Sequence, residues 1–107
     1  MTPKEFVKGF YQEKEEALNL YTQDLSTTAV GILIQQLNLR PEHMQILHQI
    51  LDGVMTDTMY GILLGLDGAA SIGGEQEDYQ IFDEEGNKLT GGSIEGYAFE
   101  FFQQRQV

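Results

Sequence analysis

Apolar positions recur at helical spacing in four stretches of the chain and run as a short block in a fifth. Phe6, Phe10, Ala17, Leu18 and Tyr21 form one stripe and predict a helix over 3–22. Thr2-Pro3-Lys4-Glu5 supplies its start: a threonine cap, a proline suited to the first helical position, and a glutamate three residues on to close a capping box. Glu13, Lys14, Glu15 and Glu16 then read as its solvated face. Val30, Leu33, Ile34 and Leu37 predict a second helix near 27–37 after the cap candidates Asp24, Ser26 and Thr27. Gly31 weakens it by roughly 1 kcal/mol relative to alanine.

Pro41 opens the longest stretch. Met44, Leu47, Leu51, Val54, Met55, Thr58, Met59, Ile62, Leu63 and Leu66 hold the helical period over about 26 residues. Gly53, Gly61 and Gly65 interrupt it and mark a kink or the close approach of another helix. Tyr60 to Leu66 is apolar on every side, so this helix is expected to be the central, buried spine. Composition changes after Leu66. Asp67 to Gly74 is small and glycine-rich and predicts a loop. Tyr79-Gln80-Ile81-Phe82 reads as a strand, Asp83 to Asn87 as a turn, and Lys88-Leu89-Thr90 as the returning strand of a hairpin. Ser93 then caps a last helix packed through Ile94, Tyr97, Ala98, Phe101 and Phe102, with Phe99 off that face. The expected fold is therefore mainly α (α+β), about four helices with a small antiparallel β-hairpin between helix 3 and helix 4, in a single domain over 1–107.

Charge changes this picture most. Seventeen Asp and Glu stand against six Lys and Arg, a formal net charge of -11. Between Asp67 and Glu100 lie nine acids and one base, Lys88, which is eight of the eleven excess negatives. Such a surface repels nucleic-acid backbones and anionic membranes, and it favours a basic protein partner. The competing reading is that net charge only keeps a small protein soluble. The opening residues lack the apolar run of a signal peptide and no stretch is long enough for a membrane span, so a cytoplasmic location is expected.

Catalytic and metal signatures fail one by one. The chain has no Cys, which removes thiol nucleophiles and thiolate metal sites. His43 and His48 are five apart and fall on different sides of a helix. His48 and Asp52 are four apart and within reach, but without a third ligand they read as a surface hydrogen bond rather than an acid/base dyad. Asp83, Glu85 and Asn87 alternate as calcium-loop ligands do, yet Lys88 stands where that loop needs glycine and Ile94 where it needs glutamate. Ser71 sits in a near miss to the nucleophile elbow, in the wrong structural context. Gly65, Gly68, Gly73 and Gly74 do not match a phosphate loop. No catalytic residue, metal or cofactor is expected, and the chain is not read as an enzyme. Met44, Met55 and Met59 read as ordinary core rather than an adaptable groove.

The hairpin is expected to bring Glu75, Glu77 and Asp78 beside Asp83, Glu84 and Glu85, with Glu95 nearby and Tyr79 and Tyr97 as aromatic anchors within the charged rim. Leu51 to Tyr60, Leu64 to Gly74 and Tyr79 to Leu89, in a small acidic chain without cysteine, are similar to segments of the small bacterial immunity proteins that neutralise antibacterial toxins. That resemblance covers the C-terminal two-thirds of the chain. It implies inhibition of a cognate toxin, often a basic nuclease, by covering its active site or a neighbouring surface, and it carries no individual residue over. The alternative is a structural or adaptor subunit, or a homodimer formed through exposed parts of helix 3 or the last helix.

Overall fold

The computed structural model describes residues 1–104. It contains four α-helices, α1 Pro3–Thr22, α2 Ala29–Gln36, α3 Pro41–Leu66 and α4 Ser93–Phe102, with a 3₁₀ turn, Leu25–Thr27, ahead of α2. α1 starts as its sequence demands. The Thr2 hydroxyl accepts from the Glu5 N–H at 3.1 Å and the Glu5 carboxylate accepts from the Thr2 N–H at 2.9 Å. The Thr28 hydroxyl caps α2 through the Gly31 N–H at 2.8 Å, so that helix begins two residues later than the apolar period alone indicates.

α1, α3 and the short α4 pack together around one core. Val7, Leu63, Leu89, Ile94, Ala98, Phe101 and Phe102 are buried in it, and Phe6, Phe10, Tyr11, Met59 and Tyr97 close its edges. The Tyr11 ring meets Phe102 edge-on at 5.5 Å and lies 5.9 Å from Phe101. Aromatic pairs of this kind add roughly 0.5–1.5 kcal/mol beyond the area they bury. Gly65 is the close approach anticipated in α3: the Ile72 side chain fills the space a Cβ would take. Only the C-terminal half of α3 is the expected spine. Leu63 and Gly65 are buried, while Ile46, Ile50, Val54 and even Ile62 are exposed.

The hairpin is absent. Among the described residues there is no strand; between α3 and α4 the backbone pairing is limited to two isolated bridges, Ile72 with Glu75 and Phe82 with Lys88, the second flanked by single bonds from the Leu89 N–H to the Ile81 carbonyl at 2.7 Å and from the Asp83 N–H to the Asn87 carbonyl at 3.0 Å. The mainly α expectation holds and the β component is corrected. Side chains have taken the places that ladder partners would occupy. The Asp83 carboxylate accepts the N–H groups of Glu85 and Asn87 at 3.0 and 2.8 Å, and the Thr90 hydroxyl accepts the Ile81 N–H at 3.2 Å. Asp, Asn, Ser and Thr compete with regular structure in this way.

Lys14 also departs from expectation. It is not on the wet face but 2% exposed. Its ammonium donates to Asp52 at 2.8 Å and to Glu15 at 2.9 Å, and it lies 4.7 Å from the centre of the Tyr11 ring. Burial pulls the Lys14 pKa down, but the two hydrogen bonds and the charges of Asp52 and Glu15 outweigh it, and the net shift is upward.

Candidate functional surface

The segment between α3 and α4 carries the acidic surface, and one carboxylate holds its two ends together. Asp67, immediately after α3, accepts the N–H groups of Gly91 and Gly92 at 2.8 and 2.9 Å and of Glu95 at 2.9 Å. Gly91 and Gly92 have φ of +128° and +115°, a backbone that side chains rarely adopt, and this turns the chain so that the first N–H groups of α4 face Asp67. A carboxylate there satisfies donors that have no partner within the helix and complements the helix dipole. Ser93, expected as the cap, is instead the first helical residue and makes no capping bond. Asp67 was countable as an acid in the sequence, but nothing local linked it to a helix 26 residues further on.

Of the residues expected at the partner surface, Glu75, Glu77, Asp78, Glu84, Glu85 and Glu95 are exposed. None of the six forms an ion pair among the described residues. Tyr79 is also exposed, and it lines a shallow depression with Asp67, Asp78, Lys88 and Thr90. Glu84 and Glu85 line a different depression, of about 460 Å³, with Met1, Phe6, Phe82 and Leu89. The expected patch is therefore divided. Asp78 and Tyr79 share one hollow, Asp83, Glu84 and Glu85 another.

Two members are committed internally. Tyr97 is half-buried against the core. Asp83 accepts from the N-terminal amine of Met1 at 2.9 Å and from Asn87 Nδ2 at 3.0 Å, besides the two turn N–H groups. The bonds from the N-terminal amine and from Asn87 hold the Asp83 carboxyl well below the usual range, and the bond to Asp83 raises the N-terminal amine.

The tested chemistry finds no constellation. Asp52 receives Lys14 and, at 3.4 Å, the Thr56 hydroxyl; no hydrogen bond joins it to His48 among the described residues. No group of three His, Asp or Glu side chains there is placed to hold a metal ion. No described helix is long and apolar enough to cross a membrane.

A surface that the charge analysis did not single out lies at the other end. α2 packs on the 3₁₀ turn and on α1 but makes no close backbone contact with α3. Only Gly31 and Ile34 of α2 are buried, and Leu33 and Leu37 are 62% and 59% exposed. The signal was present in the sequence as unbroken apolar character in 29–34. Comparison with protein families, curated proteins and solved structures gives no match to the chain.

Proposed function

We propose that this protein is an acidic, non-catalytic binding module that inhibits a basic protein, in the manner of an immunity protein blocking a cognate nuclease-type bacterial toxin in the cytoplasm. The observation that carries this reading is the set of six exposed carboxylates, Glu75, Glu77, Asp78, Glu84, Glu85 and Glu95, without a cationic partner among the described residues. Unneutralised like charge gives a fold no stability, and it accelerates the encounter with an oppositely charged surface. The carboxylates would stand in for nucleic-acid phosphates, and the exposed Tyr79 would add apolar contact. The likeness to immunity proteins rests on the residues alone.

The test captures binding proteins from the native host at low and raised salt, then repeats the capture with Glu75, Glu77, Glu84 and Glu85 changed to Lys. These four are chosen because their side chains make no hydrogen bond among the described residues, whereas Asp67 and Asp83 do. The expected result is one basic protein, held less firmly as salt rises, whose association with the variant is at least tenfold slower while helix content is unchanged. Association that is equally fast with the variant, or no basic protein at either salt, rejects the proposal.

A further inference from the structure

We infer that the trough between α1 and the 81–89 segment is the docking site for a basic amphipathic helix of the partner. Two hollows make the trough. One, of about 340 Å³, lies against Phe6, Gly9 and Phe10 of α1 and Met59 of α3, and Glu5 and Glu13 line it as well. The other is the depression of about 460 Å³ lined by Phe6, Phe82, Leu89, Glu84 and Glu85. Met1 and Phe6 line both, so the two hollows run into one another. Phe6, Gly9, Phe10 and Glu13 fall on one face of α1 by their spacing.

The chemistry of the trough has two parts. Its floor is aromatic and aliphatic, and the methionines Met1 and Met59 give it a flexible surface of the kind that adapts to a bound side chain. Its edges are acidic, and no Lys or Arg lines either hollow among the described residues; Lys4 and Lys8 of α1 stand outside both. Two of the acids are already engaged. Glu5 accepts the Thr2 N–H at 2.9 Å, and Asp83 accepts the Met1 amine at 2.9 Å. The side chains of Glu13, Glu84 and Glu85 are exposed and have no hydrogen bond or ion pair among the described residues.

Those three carboxylates select the occupant. An uncharged ligand laid on the floor would strip water from them and return no hydrogen bond. A second copy of this chain, with its net charge of -11, would add like charge. A segment with apolar side chains inward and Lys or Arg along its edges satisfies floor and rim together. The fold also selects the form of that segment. No strand exists among the described residues, so an extended peptide finds no sheet edge to join. A helix needs only a groove for anchors at i, i+3 or i+4, and i+7, about 10 Å of its length. Glu5 and Glu13 are eight residues apart, about 12 Å along α1, which matches that span.

This inference rests on the reading of the partner as a basic protein, and it names the part that is held. The probe is a labelled helical peptide of Leu and Lys, about 18 residues long, with its leucines on one face. The control is a scrambled peptide of the same composition with no apolar face. Fluorescence anisotropy on the full chain should show the amphipathic peptide bound at least tenfold more tightly than the scrambled one. Gly9→Leu should weaken it at least tenfold without loss of helix content, because a Cβ at Gly9 meets nothing within 4 Å and the added side chain enters the hollow. Changing Glu13, Glu84 and Glu85 together to Gln, which leaves the floor intact, should also weaken it at least tenfold. Amide shifts in the nuclear magnetic resonance spectrum should centre on Gly9, Phe10 and Met59. The inference is overturned by no binding, by equal affinity for the scrambled peptide, by indifference to Gly9→Leu or to the triple Gln variant, or by shifts centred on 75–78. Because the peptide is defined, these outcomes are separate from the host-capture experiment: a captured basic protein that Gly9→Leu holds as firmly as wild type overturns the docking site and leaves the inhibitor reading standing.

Discussion

Gly31→Ala is a substitution for which helix propensity and packing predict opposite signs. Propensity alone favours the alanine by about 0.8–1 kcal/mol, since glycine is the poorest helix former after proline. In the fold, a Cβ on Gly31 would fall on the backbone carbonyl of Leu25. That carbonyl belongs to the 3₁₀ turn, whose geometry is set by Asp24 accepting from the Ser26 N–H at 3.2 Å and the Ser26 hydroxyl at 2.7 Å. A backbone atom so held cannot move aside as a side chain would. Overpacking costs about 1–3 kcal/mol, toward the upper end where backbone must shift. The expected net effect is a loss of about 1–2 kcal/mol, or roughly 5–15 °C in Tm for a domain of this size. Gly9→Ala and Gly96→Ala are the matched controls, because a Cβ at either position meets nothing within 4 Å. Both should gain about 0.5–1 kcal/mol. The assay is urea unfolding followed by circular dichroism at one fixed protomer concentration. The reasoning is refuted if Gly31→Ala stabilises to the same degree as Gly9→Ala.

Two further predictions concern the acidic segment. Asp67→Ala removes the acceptor for three N–H groups at the start of α4 and should cost about 2–3 kcal/mol, with Asp67→Asn losing about half as much; a Tm within 2 °C of wild type for the alanine variant, given the roughly 4–8 °C per kcal/mol of a small domain, contradicts this. The contact between the N-terminal amine and Asp83 gives a pH signature with two edges. The depressed Asp83 pKa contributes stability above the unfolded carboxyl value of about 3.9 and loses it as pH falls through the folded value. The raised amine pKa contributes stability below its unfolded value of about 8 and loses it as pH rises through the folded value. The stability difference between wild type and Asp83→Asn should therefore be greatest between about pH 5 and 7 and shrink toward both extremes; a difference independent of pH contradicts it.

The starts of α1 and α3 were legible because their determinants are local. Pro3 and Pro41 sit at first helical positions, and Thr2 with Glu5 forms its box within four residues. The hairpin was misread for a physical reason: the apolar character of Ile81 and Leu89 is real, but Asp83 and Thr90 take backbone donors that a ladder would need. Lys14 looked solvated because its partner Asp52 lies 38 residues away, and no periodicity reports such a pairing. At the candidate surface, exposure of Glu75, Glu77, Asp78, Glu84, Glu85 and Glu95 followed from composition, since unpaired carboxylates stay in water. What composition could not reveal was which acids are spent inside the fold, as Asp67 and Asp83 are. The apolar face was visible residue by residue; that it is left uncovered depends on α2 standing away from α3.

The clamp at Asp67 also bears on how the segment it closes can change over time. Residues 71–80 are all exposed; the ends of the excursion are fixed by the bonds to Asp67, and the ties within 73–79 are local ones, Gln76 donating to the Gly68 carbonyl at 2.8 Å and Glu75 pairing with Ile72. The entropy of closing such a loop grows only slowly with its length, by about 0.6 kcal/mol for each doubling. Substitutions, and even insertions, between Gly73 and Tyr79 therefore leave the helices and their core almost untouched. A surface built this way can follow a changing partner through many sequence variants without putting the stability of its scaffold at risk.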